Sequence, residues 1–326
     1  MQLDSWRVRL CRVFAGCRNT FTRCPINVNQ VYSPFSPISA LRRRQWSVVF
    51  ALAPALLLIG TLFLVPLLRL AQLSITDRYP EPSELFTLAN YLEAVSRPFH
   101  RNSLVTSLKL ATIVTVITLV LGYPLAFFLV RSTSRYKAIV LLAIISPLLI
   151  SVVVRSIGWL ILLGREGVVN QMLQALHMIQ EPRQLLFNFI AVVIGEVNIL
   201  LPFMVLSIST SLSQIPPSLE EAAAVMGAGA VRQFAYVTLP LSAPGLISGS
   251  VIVFVLTMGS YVTPQMLGGG KVNVITTDIY SRVMVDFEWP MGSALAIITL
   301  LCTISVVLLM NWVQNRMLGG LARGEL

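Results

Sequence analysis

The chain has 326 residues, of which 56% are hydrophobic and 12% charged, and its mean hydropathy is +0.78. Soluble domains carry about a quarter of their residues as charges, so an ordinary soluble domain is excluded, and several apolar runs exceed the roughly 20 residues that cross a bilayer. A formal net charge of +10 would suit nucleic acid, but the basic residues cluster beside the apolar runs, where they set membrane orientation instead.

In chain order, residues 1–45 form a basic arm with Arg7, Arg9, Arg12, Arg18, Arg23 and the triplet Arg42–Arg44, interrupted by Pro25, Pro34 and Pro37. Leu3, Val8, Leu10, Val13 and Phe14 give residues 3–18 the pattern of a helix lying on a membrane surface. A basic tail that only fixes topology is the simpler reading. Cys11, Cys17 and Cys24 lie in this arm and Cys302 in the last span. Their spacing is not that of a zinc site, and a cytosolic arm keeps them reduced. His100 and His177 stand alone and read as surface histidines.

The first span covers about residues 47–69, with Pro54 and Pro66 expected to bend it. It lacks a cleavage signature and reads as a retained anchor. A polar segment follows, with a short surface helix expected over Leu85–Val95. The second span covers about 103–130, and its Thr106, Thr112, Thr115 and Thr118 are expected to bond their own helix. The third runs about 138–163 and carries Pro147 and Arg155. A short interfacial helix is predicted over Val168–His177, where Val169, Met172, Leu173 and Leu176 recur at helical spacing. The fourth span, about 185–210, carries Glu196, Asn198 and Pro202. The fifth covers about 243–262 and the sixth about 290–312.

This pattern predicts an all-α, polytopic membrane protein of six transmembrane helices. Its parts are a basic cytoplasmic arm (1–45), a six-span domain (46–315) with a cytoplasmic loop (211–240), and a tail (316–326). With the amino terminus in the cytosol, inside segments hold about twice as many Lys and Arg residues as outside ones, as the positive-inside rule requires. The same orientation puts Ser218–Pro240 in the cytosol.

Within the spans, Arg155 and Glu196 each cost about 2.5–3.5 kcal/mol at the bilayer centre, so they should face protein or water. An Arg155–Glu196 ion pair and a role in a translocation pathway both account for them, and Asn198 fits either network. Trp159, Tyr261, Phe254 and Asn198, with Glu196, Asp278 and Asp286, make a set suited to attracting a cation.

The loop is the most informative stretch. Pro216 and Pro217 stop the preceding helix. Ser218 followed by Glu221 reads as a capping box. Glu220 and Glu221 lie at the positive end of a helix dipole, and Ala222, Ala223 and Ala224 favour helix. Gly227 and Gly229 permit a bend. A second short helix is expected over Val231–Val237, ended by Leu239-Pro240. A solvated connecting loop is the bland alternative.

Glu221-Ala222-Ala223, Gly227, Val237 and Leu239-Pro240, at this spacing and between the fourth and fifth spans, resemble the EAA loop of ABC importer permeases. The resemblance covers about residues 46–315. It implies the type I importer fold and a bacterial inner-membrane location with both termini in the cytosol. Ser218, Glu220, Glu221, Ala222, Ala223, Gly227, Leu239 and Pro240 then become coupling residues that dock on an ATPase. Gly268-Gly269-Gly270-Lys271 lacks the first glycine and the following Ser or Thr of a phosphate-binding loop, so this chain is read as a non-enzymatic subunit holding no cofactor. ATP-Mg would sit in partner subunits. The resemblance implies two ATP-binding subunits, a second permease, most often a different one, and an extracytoplasmic solute-binding protein. Nucleic acid is not among the partners.

The stretch Gly259–Gly269, GSYVTPQMLGG, is similar to spermidine/putrescine-type permeases, which often carry an acidic residue where Ser260 stands. It implies a polyamine or related small organic solute, with ferric iron, opines and other amino compounds as alternatives. Arg155, Trp159, Glu196, Asn198 and Tyr261 are the pathway candidates. A stand-alone secondary transporter would leave the Glu221-to-Pro240 pattern unexplained, and a purely structural membrane protein would use Arg155 and Glu196 only for packing.

Overall fold

A computed structural model describes residues 38–81 and 86–323. The arm before residue 38, including Cys11, Cys17, Cys24 and the amphipathic reading of residues 3–18, lies outside the described residues. Packing divides the chain into a unit ending at Leu64 and a unit from Val65 onward. Helix is the only regular structure among the described residues.

Helix α1 (Ile38–Ser74) starts within the arm expected to end at residue 45, and Pro54 and Pro66 lie inside it without ending it. Its Ala53–Ser74 part is long and apolar enough to cross a membrane. After it comes α2 (Ala89–Ser96), which starts later than the helix expected over Leu85–Val95, since 86–88 are not helical. Asn90 Nδ2 donates to the carbonyls of Ser74 and Thr76 at 3.2 and 2.8 Å, which ties α2 to the end of α1.

The second span is α3 (Pro98–Arg131). Thr112, Thr115 and Thr118 donate to the carbonyls four residues earlier at 2.7–2.8 Å, so their hydroxyls are satisfied within the helix as expected.

The third span departs from the sequence reading. Helix α4 (Lys137–Ile145) ends in a tight turn at Ser146–Leu149, and α5 (Val152–Leu163) and α6 (Val168–Ala175) follow. The segments Lys137–Leu149 and Val152–Ala175 meet at 106°. Pro147 supplies no N–H, and Ile150 turns extended at φ −103°, ψ 134°, so carbonyls are freed at the break. Arg155 answers them: its Nη2 donates to Pro147 O and, at 2.7 Å, to Ile150 O. A charge that costs energy in a membrane is used to cap broken backbone, which is tolerated there only when its polar groups are satisfied. Replacing Arg155 by Met removes the donor to both carbonyls and should destabilise the detergent-solubilised protein by about 2–6 kcal/mol, given about 1–3 kcal/mol per orphaned group. An unchanged unfolding midpoint in graded SDS would refute this.

The fourth span is α7 (Phe189–Ser213), capped by Asn188, whose side chain accepts from Ala191 N at 2.9 Å. Then come α8 (Pro217–Val225) and α9 (Ala230–Gln233). Helix α9 does not stop at Leu239-Pro240 as expected. It passes through a wide π turn at Phe234–Thr238 into α10 (Leu239–Met258), so the fifth span is continuous from Ala230. The cause is local: Leu239 N bonds Phe234 O five residues back, and Pro240 has no N–H to place in the ladder. Short helices α11 (Val262–Gly268) and α12 (Ile275–Tyr280) precede the last span, α13 (Trp289–Arg323). Among the described residues, five helices are thus long and apolar enough to span a membrane, and the bent pair taken as one span makes six.

Helices α3, α7 and α10 pack against one another. Leu110 and Val114 of α3, Met204 and Ile208 of α7, and Val253 of α10 are buried between them. Small residues let the backbones close, as in other membrane helix pairs. A Cβ on Gly245 would stand 2.5 Å from Ser211 Cβ and 2.7 Å from Ser207 O.

Candidate functional site

Two regions gather the residues that sequence reasoning singled out. The first is the loop. Helix α8 begins at Pro217, with Pro216 as the residue before it and no side-chain cap. The expected Ser218–Glu221 capping box is therefore absent. Proline suits the first helical position, because its fixed φ is helical and its missing N–H is unneeded there. That choice moves the helix start two residues back and places Ser218 inside it.

The far end of α8 is closed by Gly227. Its φ is +85°, which L-residues disfavour by about 1–2 kcal/mol. Gly227 N donates to Ala224 O at 2.9 Å and Ala228 N to Ala223 O at 3.0 Å, the bond pair of a Schellman cap. Glu221 and Ala222 are exposed, and Ala223 is half-buried. Beyond them Val225 is 89% exposed and Met226 88%. Two large apolar side chains are thus held almost entirely in the open at the tip of a capped helix. Val231 and Tyr236 extend the exposed apolar surface along the same loop.

The second region lies among the spans. Glu196 on α7 is 2% exposed, and its Oε1 accepts from the Ser260 hydroxyl. Ser260 O in turn accepts from Thr276 Oγ1 at 2.5 Å. Next to Ser260, Tyr261 stacks on Tyr280, with ring centroids 4.6 Å apart and planes 30° apart. Gly195 makes this arrangement fit, because a Cβ there would lie 2.5 Å from Leu267 Cδ1 and 2.8 Å from Thr263 Cγ2 of α11. Glu196 and Tyr261 are thereby brought to one neighbourhood through Ser260.

The other candidates are placed differently. Arg155 is bound to the helix break described above, so the proposed Arg155–Glu196 ion pair is not formed. The two groups answer nearer polar atoms, and charge in a low-dielectric region is held by its closest partner. Trp159 on α5 is partly buried against the main core cluster, and Phe254 is buried beside Ala111 and Met258. Asn198 is half-buried on α7.

One buried network was missed. His100 is not a surface residue. It is 1% exposed, and its Nδ1 donates to Asp278 Oδ2 at 2.7 Å, with both side chains fully enclosed. Arg282 Nε stands 3.9 Å from Asp278 Oδ1 and its Nη1 reaches Glu288 at 2.8 Å and Asp286 at 3.3 Å. The partners are 178 residues apart, so no local pattern announces them. Asn170 is another: fully buried, it clamps the 164–183 loop by bonding Gly164 O, Arg183 O and Arg183 N at 2.9–3.1 Å.

Helices long and apolar enough to cross a membrane, a bent third segment and a capped, apolar-tipped loop define a multi-pass membrane protein. Residues 118–319 match the family of binding-protein-dependent transport system inner membrane components. The chain belongs to this family and is a permease subunit of an ABC importer. It is 34% identical to the spermidine/putrescine transport system permease protein PotB of Escherichia coli (strain K12) over 273 residues, 84% of this chain and 95% of that protein. The PotB protein of Haemophilus influenzae (strain ATCC 51907 / DSM 11121 / KW20 / Rd) is 31% identical over 267 residues, covering 82% and 90%. A solved bacterial alginate ABC transporter, in complex with alginate pentasaccharide-bound periplasmic protein, contains a chain of the same fold. Its TM-score is 0.72 at 18% identity, over 86% of this chain and 98% of that one.

Proposed function

We propose that this permease imports a polyamine of the putrescine/spermidine class across a bacterial inner membrane, driven by two separate ATPase subunits. The loop is the observation that carries the coupling: α8 is capped by Gly227 and presents Glu221, Val225 and Met226 outward. Docked on ATP-Mg-bound partners, α8 would be displaced as they close. That biases the spans between inward- and outward-facing states by differential stabilisation. The charge asymmetry of the sequence supports a cytosolic loop and cytosolic termini. A second, related permease would complete the membrane half, and a binding protein outside would deliver the solute.

Two observations support the solute class. The PotB proteins are similar over most of their length. Glu196 also places an enclosed carboxylate at Ser260, beside the stacked Tyr261 and Tyr280. The acid that similar permeases often carry at Ser260 is here supplied from α7. A carboxylate in the same neighbourhood as aromatic rings suits an alkylammonium group.

The test is ATP-dependent uptake of labelled putrescine into vesicles holding the co-purified complex, competed by spermidine, amino acids and ferric chelates. Competition by spermidine alone is expected. Replacing Glu196 by Gln keeps an acceptor for Ser260 and should raise the half-saturating concentration at least roughly tenfold, the loss of one desolvated charge partner. Uptake that persists without ATP, or that ferric chelates block, overturns the assignment.

A further inference from the structure

The adjacent glutamates of α8 face different ways. Successive helix positions are about 100° apart, so one inward-facing residue leaves its neighbour out. Glu221 is exposed, whereas Glu220 is half-buried and held three ways. Its Oε1 accepts from Arg131 Nη2 at 2.7 Å and from Thr238 Oγ1 at 3.1 Å. Its main-chain carbonyl accepts from Gln233 Nε2. Arg131, the last residue of α3, also donates through both Nη1 and Nη2 to Ile215 O, at 3.2 Å each.

The Arg131 and Glu220 side chains are only 17% and 18% exposed. The pair is therefore shielded from the screening that makes surface ion pairs weak. Deeper along α3, the Tyr123 hydroxyl lies 3.0 Å from Ser242 Oγ of α10. The rings of Tyr123 and Phe127 meet Phe234 edge-on at 5.3 and 6.5 Å. One carboxylate thus joins the loop helix to the end of the second span and to the π turn that opens the fifth, with an aromatic contact behind it.

We propose that Glu220 and Arg131 are positioning residues of the import cycle. They lock α8 to α3 and to the start of α10, so that displacement of α8 moves the second and fifth spans together. Glu220 is then an internal linkage and not a contact with the ATPase, and the two glutamates divide the work: Glu221 docks and Glu220 transmits. This rests on the reading of α8 as the ATPase-facing helix.

The experiment uses the reconstituted complex and reads three quantities: ATPase retained on the permease, ATP turnover, and putrescine taken up per ATP hydrolysed. For Glu220→Gln and Arg131→Gln, ATPase retention and turnover should stay near wild type. Uptake per ATP should fall roughly tenfold, within the range by which coupling residues act. The exchange R131E/E220R should recover much of the loss, and it carries the test if a single variant fails to fold. Loss of the ATPase from Glu220→Gln would make Glu220 a docking contact and overturn the proposal. So would unchanged uptake per ATP, or a folded exchange variant as uncoupled as the singles. A wild-type complex that binds no ATPase fails the importer reading itself, and that failure is seen before any substitution is made.

Discussion

Reversing the charge at Glu221 (Glu221→Arg) is expected to abolish ATP-driven uptake while the chain still inserts and folds. Glu221 is exposed on the first turns of α8 and makes no ion pair with the rest of the described chain, so the isolated permease loses little by its replacement. Surface substitutions of this kind cost within about 0.5 kcal/mol of stability. Met226→Asp should act in the same way, because a side chain 88% exposed contributes nothing to the chain's own core. In an interface the same positions behave as anchors, where truncation costs about 2 kcal/mol or more. That corresponds to at least a thirtyfold loss of ATPase affinity. Co-purification and substrate-stimulated ATP turnover measure it. Normal stimulated turnover in Glu221→Arg would show that the outward face of α8 is not where the ATPase binds.

Breaking the His100–Asp278 pair should carry a large stability cost. His100→Ala leaves a fully enclosed carboxylate whose Oδ2 has lost its only close donor, with Arg282 Nε at 3.9 Å from the other oxygen. Removing one partner of a buried pair costs about 3–5 kcal/mol. Asp278→Asn keeps an acceptor for His100 Nδ1–H and should cost distinctly less. The bond fastens the start of α3 to α12, where Ile275 N also donates to Ser107 Oγ at 2.7 Å. Unfolding midpoints in graded SDS compare the two variants. Equal midpoints for His100→Ala and wild type would show that this contact bears no load.

The reach of the sequence differs from one element to the next, and the differences have causes. The spans were legible because crossing a bilayer demands a long apolar run, which is a local property of the chain. Gly227 was legible for a similar reason, since a positive φ at the end of a capped helix selects glycine. The broken third span was not. Pro124, Pro202 and Pro244 sit inside continuous helices, while Pro147 accompanies a break. Proline alone therefore does not decide the outcome. What distinguishes Pro147 is a guanidinium eight residues later that satisfies the freed carbonyls.

The sequence by itself determined an all-α membrane protein, the order of its spans, and the loop that assigns it to the importer permeases. Apolar run length, basic flanks and a short motif are all written in neighbouring residues. The tertiary structure decided which charges meet. Arg155 caps a helix break, Glu196 meets Ser260 instead of Arg155, and His100 is enclosed with Asp278. It also separated Glu220 from Glu221, turning one inward to Arg131 and leaving the other exposed. In a low-dielectric interior a charge is governed by whichever polar atoms packing brings nearest, and for Glu196, Glu220 and His100 those atoms lie 64, 89 and 178 residues away along the chain.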